Sequence, residues 1–279
     1  MKKHLSTILL VMILFLGVAI LLYPTVSDYW NSFHQSRAIA SYIEQIENIN
    51  PADYDREWAL AREYNRALIQ KPNRFLLSDE EYAEYESLLN LTGSGIMGYI
   101  EIPKISCSLP IYHGTDEAVL QIAVGHIEGT SLPTGDAGTH AVLSGHRGLP
   151  SAKLFTDLDQ MEEGDLFVIR VMDQIMTYEV DQILIVLPEE MDALAIDPEQ
   201  DYCTLVTCTP YGINSHRLLV RGRRTENQEM ETIIKVVSDA TQIKPVLVAP
   251  VLAAPMLLVL LVWMMISTGR KQRRRKLTK

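Results

Sequence analysis

The apolar positions of this 279-residue chain are most concentrated near its two ends. Residues 5–23 and 246–266 are uncharged runs of 19 and 21 residues. A bilayer core about 30 Å thick is crossed by roughly 20 apolar residues in a helix, so the pattern predicts a membrane span at each end. The first run is longer than the apolar core of a cleaved signal peptide, and no small-residue cleavage site follows it. A retained anchor is therefore favoured over a cleaved signal.

Between these runs, the first part of the chain has a helical pattern. Apolar and aromatic residues recur at intervals of three and four over residues 28–70, and the Asn50-Pro51 pair predicts a break into two helices. Ser78 and Glu81 then match a capping box, which predicts the start of a short third helix.

From Gly98 onward the apolar positions alternate with period two, which is typical of half-buried strands. The candidate strands lie at residues 99–102, 141–143, 166–171, 176–180, 183–187, 205–206 and 218–220. Residues 172–174 are short enough to link two of these strands as a hairpin. Many short strands without long helices between them predict a closed or nearly closed β-barrel, and argue against a parallel α/β sheet.

The charges that flank the apolar runs predict how the chain crosses the membrane. Basic residues precede the first run and follow the second: Lys2, Lys3, Arg270, Lys271, Arg273, Arg274, Arg275, Lys276 and Lys279. Positive flanks stay in the cytoplasm, so both termini are expected inside and residues 24–245 outside. That stretch holds all 35 acidic residues but only 16 of the 25 basic ones, which leaves a net charge of −19. Such an acidic domain is not expected to bind nucleic acid.

The three cysteines add a chemical feature to this exported domain. On one extended strand, at about 3.3 Å per residue, Cys203 and Cys208 would lie roughly 16 Å apart, too far for a disulfide. At least one free thiol is therefore expected outside the cell. Free cysteines are usually buried, so at this level Cys208 is either a core residue or a nucleophile.

Three positions near predicted strand ends carry candidate chemistry. Cys208 ends a β-branched run, and Pro210 then takes the chain out of the sheet. His146 stands near glycines after another strand, where an imidazole can accept a thiol proton and later protonate a leaving amine. Of His216 and Arg217, which lie on opposite faces of a strand, an arginine facing the thiol would stabilise an oxyanion. A buried cysteine, a loop histidine and a solvated arginine are the alternatives.

Taken together, these segments resemble the sortases, and most closely the class C or pilin-polymerising sortases. The matching stretches occur in the same order over roughly residues 74–224: residues 98–105, 109–115, 125–133, 143–155 and 204–222. The resemblance implies a mainly β fold, an eight-stranded sortase barrel with N-terminal helices and two flanking membrane helices. The expected segments are a cytoplasmic start (1–4), an anchor (5–23), a helical region (24–90), the catalytic barrel (91–226), a linker (227–245), a second span (246–266) and a basic cytoplasmic tail (267–279).

The resemblance also implies a cysteine transpeptidase. Cys208 would attack the Thr–Gly bond of an LPxTG-like sorting signal, His146 would protonate the leaving amine, and Arg217 would stand on the oxyanion side. Ser144 and Thr207, which neighbour these positions, are expected to bind substrate. On the same resemblance, four other histidines are expected not to be catalytic: His113, His126, His140 and His216.

The expected partners follow from that reaction. They are LPxTG-bearing surface proteins or pilins, and an amine from a pilin lysine or a cell-wall precursor. No metal or organic cofactor is required. Anchoring of surface proteins to the wall, a hydrolytic thiol peptidase and a non-enzymatic two-span module are the alternative functions.

The chain departs from the class C pattern at the segment that often covers the site. The Asp-Pro-aromatic lid motif is absent, since Asp79 is followed by glutamate. A lid in which Asp79 or Tyr82 enters the cleft is nevertheless a hypothesis. Residues 132–135 look like a sorting signal but lack its intervening residue, so the chain is not expected to be a substrate itself.

Overall fold

The computed structural model describes residues 2–227. The predicted second span and basic tail lie outside the described residues, as does the linker beyond residue 227. Residues 2–26 and residues 27–227 belong to two different compact units.

The helices come before the barrel, apart from one short insertion. They are α1 (Lys2–Glu47), α2 (Pro51–Ile69), α3 (Asp79–Ser87) and α4 (Glu117–Leu120). The predicted anchor is the first part of α1, which continues without a break through Pro24. This helix is long and apolar enough to cross a membrane, and its most apolar window has a mean hydropathy of 2.6.

Local capping explains where α2 and α3 begin. The Asn50 side chain accepts a hydrogen bond from the Ala52 N–H at 3.0 Å, and Pro51 occupies the first helical position. At α3, Ser78 and Glu81 cap each other's backbone N–H groups. Both predicted helix starts are confirmed.

Eight strands close into a barrel: β1 (Ile96–Ile102), β2 (Cys107–His113), β3 (Val124–His126), β4 (Thr139–Ser144), β5 (Leu166–Val171), β6 (Gln174–Val186), β7 (Asp201–Thr209) and β8 (His216–Thr225). Their order around the barrel is β1-β2-β3-β4-β7-β8-β6-β5, and β5 pairs again with β1. The β2–β3 and β4–β7 pairs are parallel, and the other pairs are antiparallel. The predicted barrel and the β5–β6 hairpin are confirmed.

Two details of the strand prediction are wrong. The predicted strands at residues 176–180 and 183–187 are one strand, β6, with a register shift between Val180 and Gln182. The bulge reverses which alternate residues face the core. The alternation of apolar residues is therefore interrupted, and one strand was predicted as two. The alternating pattern also failed to predict β2 and the short strand β3.

Alternation within the strands separates an inner face from an outer face. In β7 the odd-numbered residues Cys203 and Leu205 are fully buried within the main core, and in β8 Val220 is buried there too. The even-numbered residue Val206 belongs to a second, outer cluster with Leu219. The barrel is therefore filled by side chains, and its outer face at β4, β7 and β8 carries a second apolar cluster.

The helices α2 and α3 are fixed to the barrel by buried polar groups. Asn65 of α2 makes a reciprocal pair with the backbone of Leu132, at 2.9 and 2.7 Å. Tyr85 of α3 is fully buried, and its hydroxyl lies 2.9 Å from His126 Nδ1 and accepts a hydrogen bond from the Gly114 N–H. Buried polar groups with partners specify position, so both helices have a defined place beside the barrel.

Candidate active site

Cys208 lies at the end of β7 on the outer face of the barrel. Its parity is that of Val206, opposite to that of the interior Cys203, and it is half-buried. Burial raises the pKa of Cys203 well above its usual range, which makes that thiol a core group. The strand ends at Thr209 because Pro210 has no N–H to continue the ladder. The thiol of Cys208 is thus held on a rigid strand and still reached from solvent.

Arg217 is the direct cross-strand neighbour of Cys208. The two residues are paired in the antiparallel β7–β8 ladder, so their side chains leave the sheet on the same face. Arg217 Nη1 donates to the carbonyl oxygens of Asn214 at 3.3 Å and His216 at 3.2 Å. His216 pairs instead with Thr209. The sequence alone does not show whether His216 or Arg217 lies on the same face as the thiol. The structure places Arg217 on that face.

His146 follows shortly after β4, the other neighbour of β7. The parallel register pairs Ser144 with Val206, and the Gly145 N–H continues it by donating to the Val206 carbonyl at 3.1 Å. His146 follows two residues after Ser144, at the end of β4 that lies beside the end of β7 with Cys208. The three residues predicted as catalytic therefore lie at the same end of three adjacent strands, with His146 just after β4 and with Cys208 and Arg217 on β7 and β8.

The two predicted substrate-binding residues lie on different faces. Ser144 has the outer parity and is half-buried. Thr207 has the inner parity, is 2% exposed, and donates from its hydroxyl to the Gly145 carbonyl at 2.8 Å. Its side chain positions the backbone next to His146, so only the main chain of Thr207 is placed for a contact with a ligand on the outer face.

An apolar floor extends from the catalytic end along the outer face. It consists of Val142, Val206 and Leu219, with Val186 at its edge. Leu194, from the short 3-10 helix Asp192–Leu194 between β6 and β7, packs on this floor and is 5% exposed. The β6–β7 segment therefore covers this floor on the outer face of the barrel.

Hydrogen bonds to two of its backbone carbonyls hold this segment in place. Arg74, from the connection between α2 and α3, donates from Nη2 to the Leu194 carbonyl at 2.7 Å. His140 Nδ1 lies 2.8 Å from the Ala195 carbonyl, and its Nε2 lies 2.7 Å from Thr204 Oγ1. The connection itself runs close over Gly129, where a Cβ would lie 2.1 Å from the Arg74 carbonyl oxygen.

The loops that follow His146 and Cys208 also contact each other. Arg147 bonds to Asp159 and lies over the Tyr211 ring at 5.9 Å. Gly148 has a φ of +78°, and a Cβ there would lie 2.8 Å from that ring. Glu117, the first residue of α4, places Oε2 3.8 Å from His146 Nε2. None of these partners was found from the sequence, because each reaches the site through the tertiary fold.

The predicted lid residues belong to the packed helix α3. Asp79 is exposed in its first turn. The Tyr82 ring packs against that of Tyr85 with centroids 6.0 Å apart, and its hydroxyl lies 3.0 Å from where a Cβ of Gly114 would be. These contacts give Tyr82 a packing role beside the barrel, and entry of either side chain into the cleft stays a prediction.

Three of the four histidines set aside from catalysis, His113, His126 and His140, are buried structural groups. Burial lowers the pKa of His126 and of His140 to about 4, and it lowers the pKa of His113 as well. The ring of His113 lies 2.7 Å from the Leu88 carbonyl and 3.1 Å from the Gly95 carbonyl. Their ring nitrogens are engaged by backbone or hydroxyl partners.

Comparison with known proteins agrees with this geometry. A sequence model of the sortase domain matches residues 100–225. The crystal structure of sortase C1 from Streptococcus agalactiae is 47% identical with a TM-score of 0.66, covering 69% of this chain and 100% of that one. Sortase C from Clostridium perfringens, solved with a C-terminal cell wall sorting motif, is 42% identical with a TM-score of 0.61, covering 68% and 99%.

A curated relative is more distant. Sortase D of Bacillus subtilis is 32% identical over 130 residues, and the match covers 46% of this chain. It spans 63% of that protein's length, less than two thirds.

Proposed function

Because this chain belongs to the sortase family, with class C sortases among its structural neighbours, we propose that it is a cysteine transpeptidase with Cys208 as nucleophile. It cleaves LPxTG-like sorting signals between Thr and Gly and joins the acyl group to an amine, which is a lysine of a pilin subunit. The observation that carries this proposal is that Cys208 and Arg217 are cross-strand neighbours and that His146 follows β4 at the same end of the barrel.

Each of the three residues has a chemical role in the proposed reaction. The Cys208 thiolate attacks the threonine carbonyl, and the protonated His146 gives its proton to the departing glycine amine. Arg217, directly across from Cys208, donates to the oxygen that becomes negative in the tetrahedral intermediate. The thioester that remains on Cys208 is then attacked by the acceptor amine.

The acyl donor that we propose is a sorting-signal peptide. The related sortase C from C. perfringens was solved with a sorting motif, which supports the same class of ligand here. The sortase C of Streptococcus pneumoniae, a structural neighbour described in terms of its pilin substrate specificity, favours a pilin lysine over a cell-wall precursor as the acceptor.

The proposed location follows from the two apolar ends of the chain. One helix in the described part is apolar enough to span a membrane, which supports anchoring. We place the barrel outside the cell and both termini in the cytoplasm on the basis of the basic flanks at residues 2–3 and 270–279.

The test is mass spectrometry of the purified full-length protein incubated with a sorting-signal peptide and a pilin subunit. A thioacyl adduct on Cys208 and an amide-linked conjugate are expected. The Cys208→Ala variant is expected to form neither, while Cys107→Ala forms both. Hydrolysis product without conjugate would identify a thiol peptidase, and conjugate formation by Cys208→Ala would remove Cys208 from the reaction.

A further inference from the structure

Beside His146 stands a carboxylate that the reaction described above does not use. Glu117 Oε1 accepts a hydrogen bond from the Gln121 side chain at 2.5 Å, one turn further along. Its other oxygen, Oε2, lies 3.8 Å from His146 Nε2, and the side chain is 74% exposed. One oxygen is therefore held, and the other is directed at the catalytic imidazole and open to solvent.

The position of Glu117 follows from the barrel pairing. The helix α4 joins β2 to β3, and Gly125 of β3 pairs with Ser144 of β4, two residues before His146. Glu117 thus approaches His146 from the β3 side, whereas Cys208 lies on the β7 side. A second substrate held by Glu117 would reach the acyl carbon past the imidazole.

Within residues 2–227, no lysine or arginine forms an ion pair with Glu117. The nearby cations have other partners, since Arg147 pairs with Asp159 and Arg217 Nη1 donates to two backbone carbonyls. A carboxylate next to a catalytic histidine, free of any intramolecular lysine or arginine, fits a cationic ligand of small size.

We propose that Glu117 binds the incoming acceptor as its ammonium ion and holds it against His146. This inference rests on the proposed function, since it names the group that recognises the second substrate of the same site. A lysine side chain has a pKa of about 10.4 in water, so it arrives charged and must lose a proton before it attacks. Glu117 binds the charged form, and the neutral His146 left after the first step is the base next to it.

The protons balance over the second step. The ammonium held by Glu117 transfers one proton to His146, which restores the protonated imidazole. The amine nitrogen then forms a bond to the acyl carbon, the carbon–sulfur bond breaks, and Cys208 leaves as thiolate. The nitrogen releases its second proton to solvent, where the amine that departed in the first step takes one up.

Two acceptors of different charge distinguish whether Glu117 recognises the ammonium ion or affects the chemical step itself. A lysine-containing peptide, blocked at its α-amine, presents an ammonium, whereas hydroxylamine is largely uncharged at neutral pH. Full-length protein in detergent, with a sorting-signal peptide, is given each acceptor, and the two products are quantified by mass spectrometry. In Glu117→Gln, the ratio of lysine transfer to hydroxylamine transfer is expected to fall about fivefold, the effect of losing one exposed charge pair. Asp116→Asn, which removes the same charge from the adjacent residue, is the matched control and keeps the ratio.

The remaining outcomes contradict the inference in distinguishable ways. If Glu117→Gln lowers both transfers equally, Glu117 positions His146 and does not select the amine. An unchanged ratio with unchanged rates, or an equal fall of the ratio in Asp116→Asn, also overturns a specific role for Glu117. If wild-type protein makes neither product, the proposed transpeptidase function fails, and the inference fails with it.

Discussion

At the scale of single residues, the site depends on what each side chain faces. Cys203 and Cys208 lie on the same strand, yet one fills the core and the other lies on the outer face. The difference follows from parity alone, since five positions along a strand reverse the face. The same rule separates Arg217 from His216 on β8 and gives the site its arginine.

Arg217→Lys is expected to lower kcat about 100-fold, the loss typical for removal of one oxyanion donor. Lysine keeps the charge but not the planar fork that holds two backbone carbonyls and still presents a donor to the substrate. The measurement is steady-state cleavage of a sorting-signal peptide, with thermal unfolding as a check on folding. Arg223→Lys, at an exposed position of the same strand, is the control. Turnover near that of wild type would exclude Arg217 from the reaction.

At the scale of elements, the outer apolar cluster is assembled from segments that are distant in sequence. Its floor comes from β4, β7 and β8, and the β6–β7 segment covers that floor. The α2–α3 connection reaches that segment through Arg74, 120 residues away from Leu194 in the chain. The connection between α2 and α3 thus helps to hold the β6–β7 segment in place.

Arg74→Ala is therefore expected to loosen the β6–β7 segment. Loss of one hydrogen bond to a largely buried carbonyl costs about 1 kcal/mol, which corresponds to roughly fivefold faster amide exchange around residues 193–196. Hydrogen–deuterium exchange of the full-length protein measures this, with Arg66→Ala, an exposed position of α2, as the control. Equal exchange in both variants would show that His140 alone holds the segment.

Elements also show what sequence could and could not predict. The capping box at Ser78 and the break at Asn50-Pro51 are local chemistry, so both helix starts were predictable. The three-residue strand β3 is too short to have a period, and the bulge after Val180 hid the continuity of β6. Glu117 and Leu194 joined the site through strand order, which no local pattern records.

At the scale of the whole molecule, buried titratable groups couple folding to pH. Burial lowers the pKa of His126 and His140 to about 4, so both bind fewer protons in the folded state. Stability from these groups is lost as pH falls from about 6.5 to 4. Burial raises the pKa of Asp201 to about 7 despite hydrogen bonds from Thr139 and Tyr178. The Asp201 carboxyl has the opposite effect: its contribution to stability is lost as pH rises, because the folded state binds its proton more tightly than the unfolded state does.

Asp201→Asn, which resembles the protonated acid, is expected to separate these contributions. At pH 8 the variant avoids burying a carboxylate and is more stable than wild type, by up to about 4 kcal/mol for a shift of roughly three pKa units. The difference shrinks as pH falls and is small near pH 4, where Asp201 is protonated in the folded state and about half protonated in the unfolded state. Denaturant unfolding from pH 4 to 8 measures it, with Asp192→Asn as the control. A difference independent of pH would contradict the assignment to Asp201.

The parallel pairing of β4 with β7 also decides when the protein becomes reactive. Ser144 and Val206 are neighbours in space but 62 positions apart in the chain, and β5 and β6 are made between them. Such long-range pairs form late, after shorter loops have closed. While the chain emerges, His146 is present well before Cys208 and Arg217 exist to meet it. On the proposed roles of these residues, the thiol consequently gains its partners only when the barrel closes, so an incomplete copy lacks the assembled site.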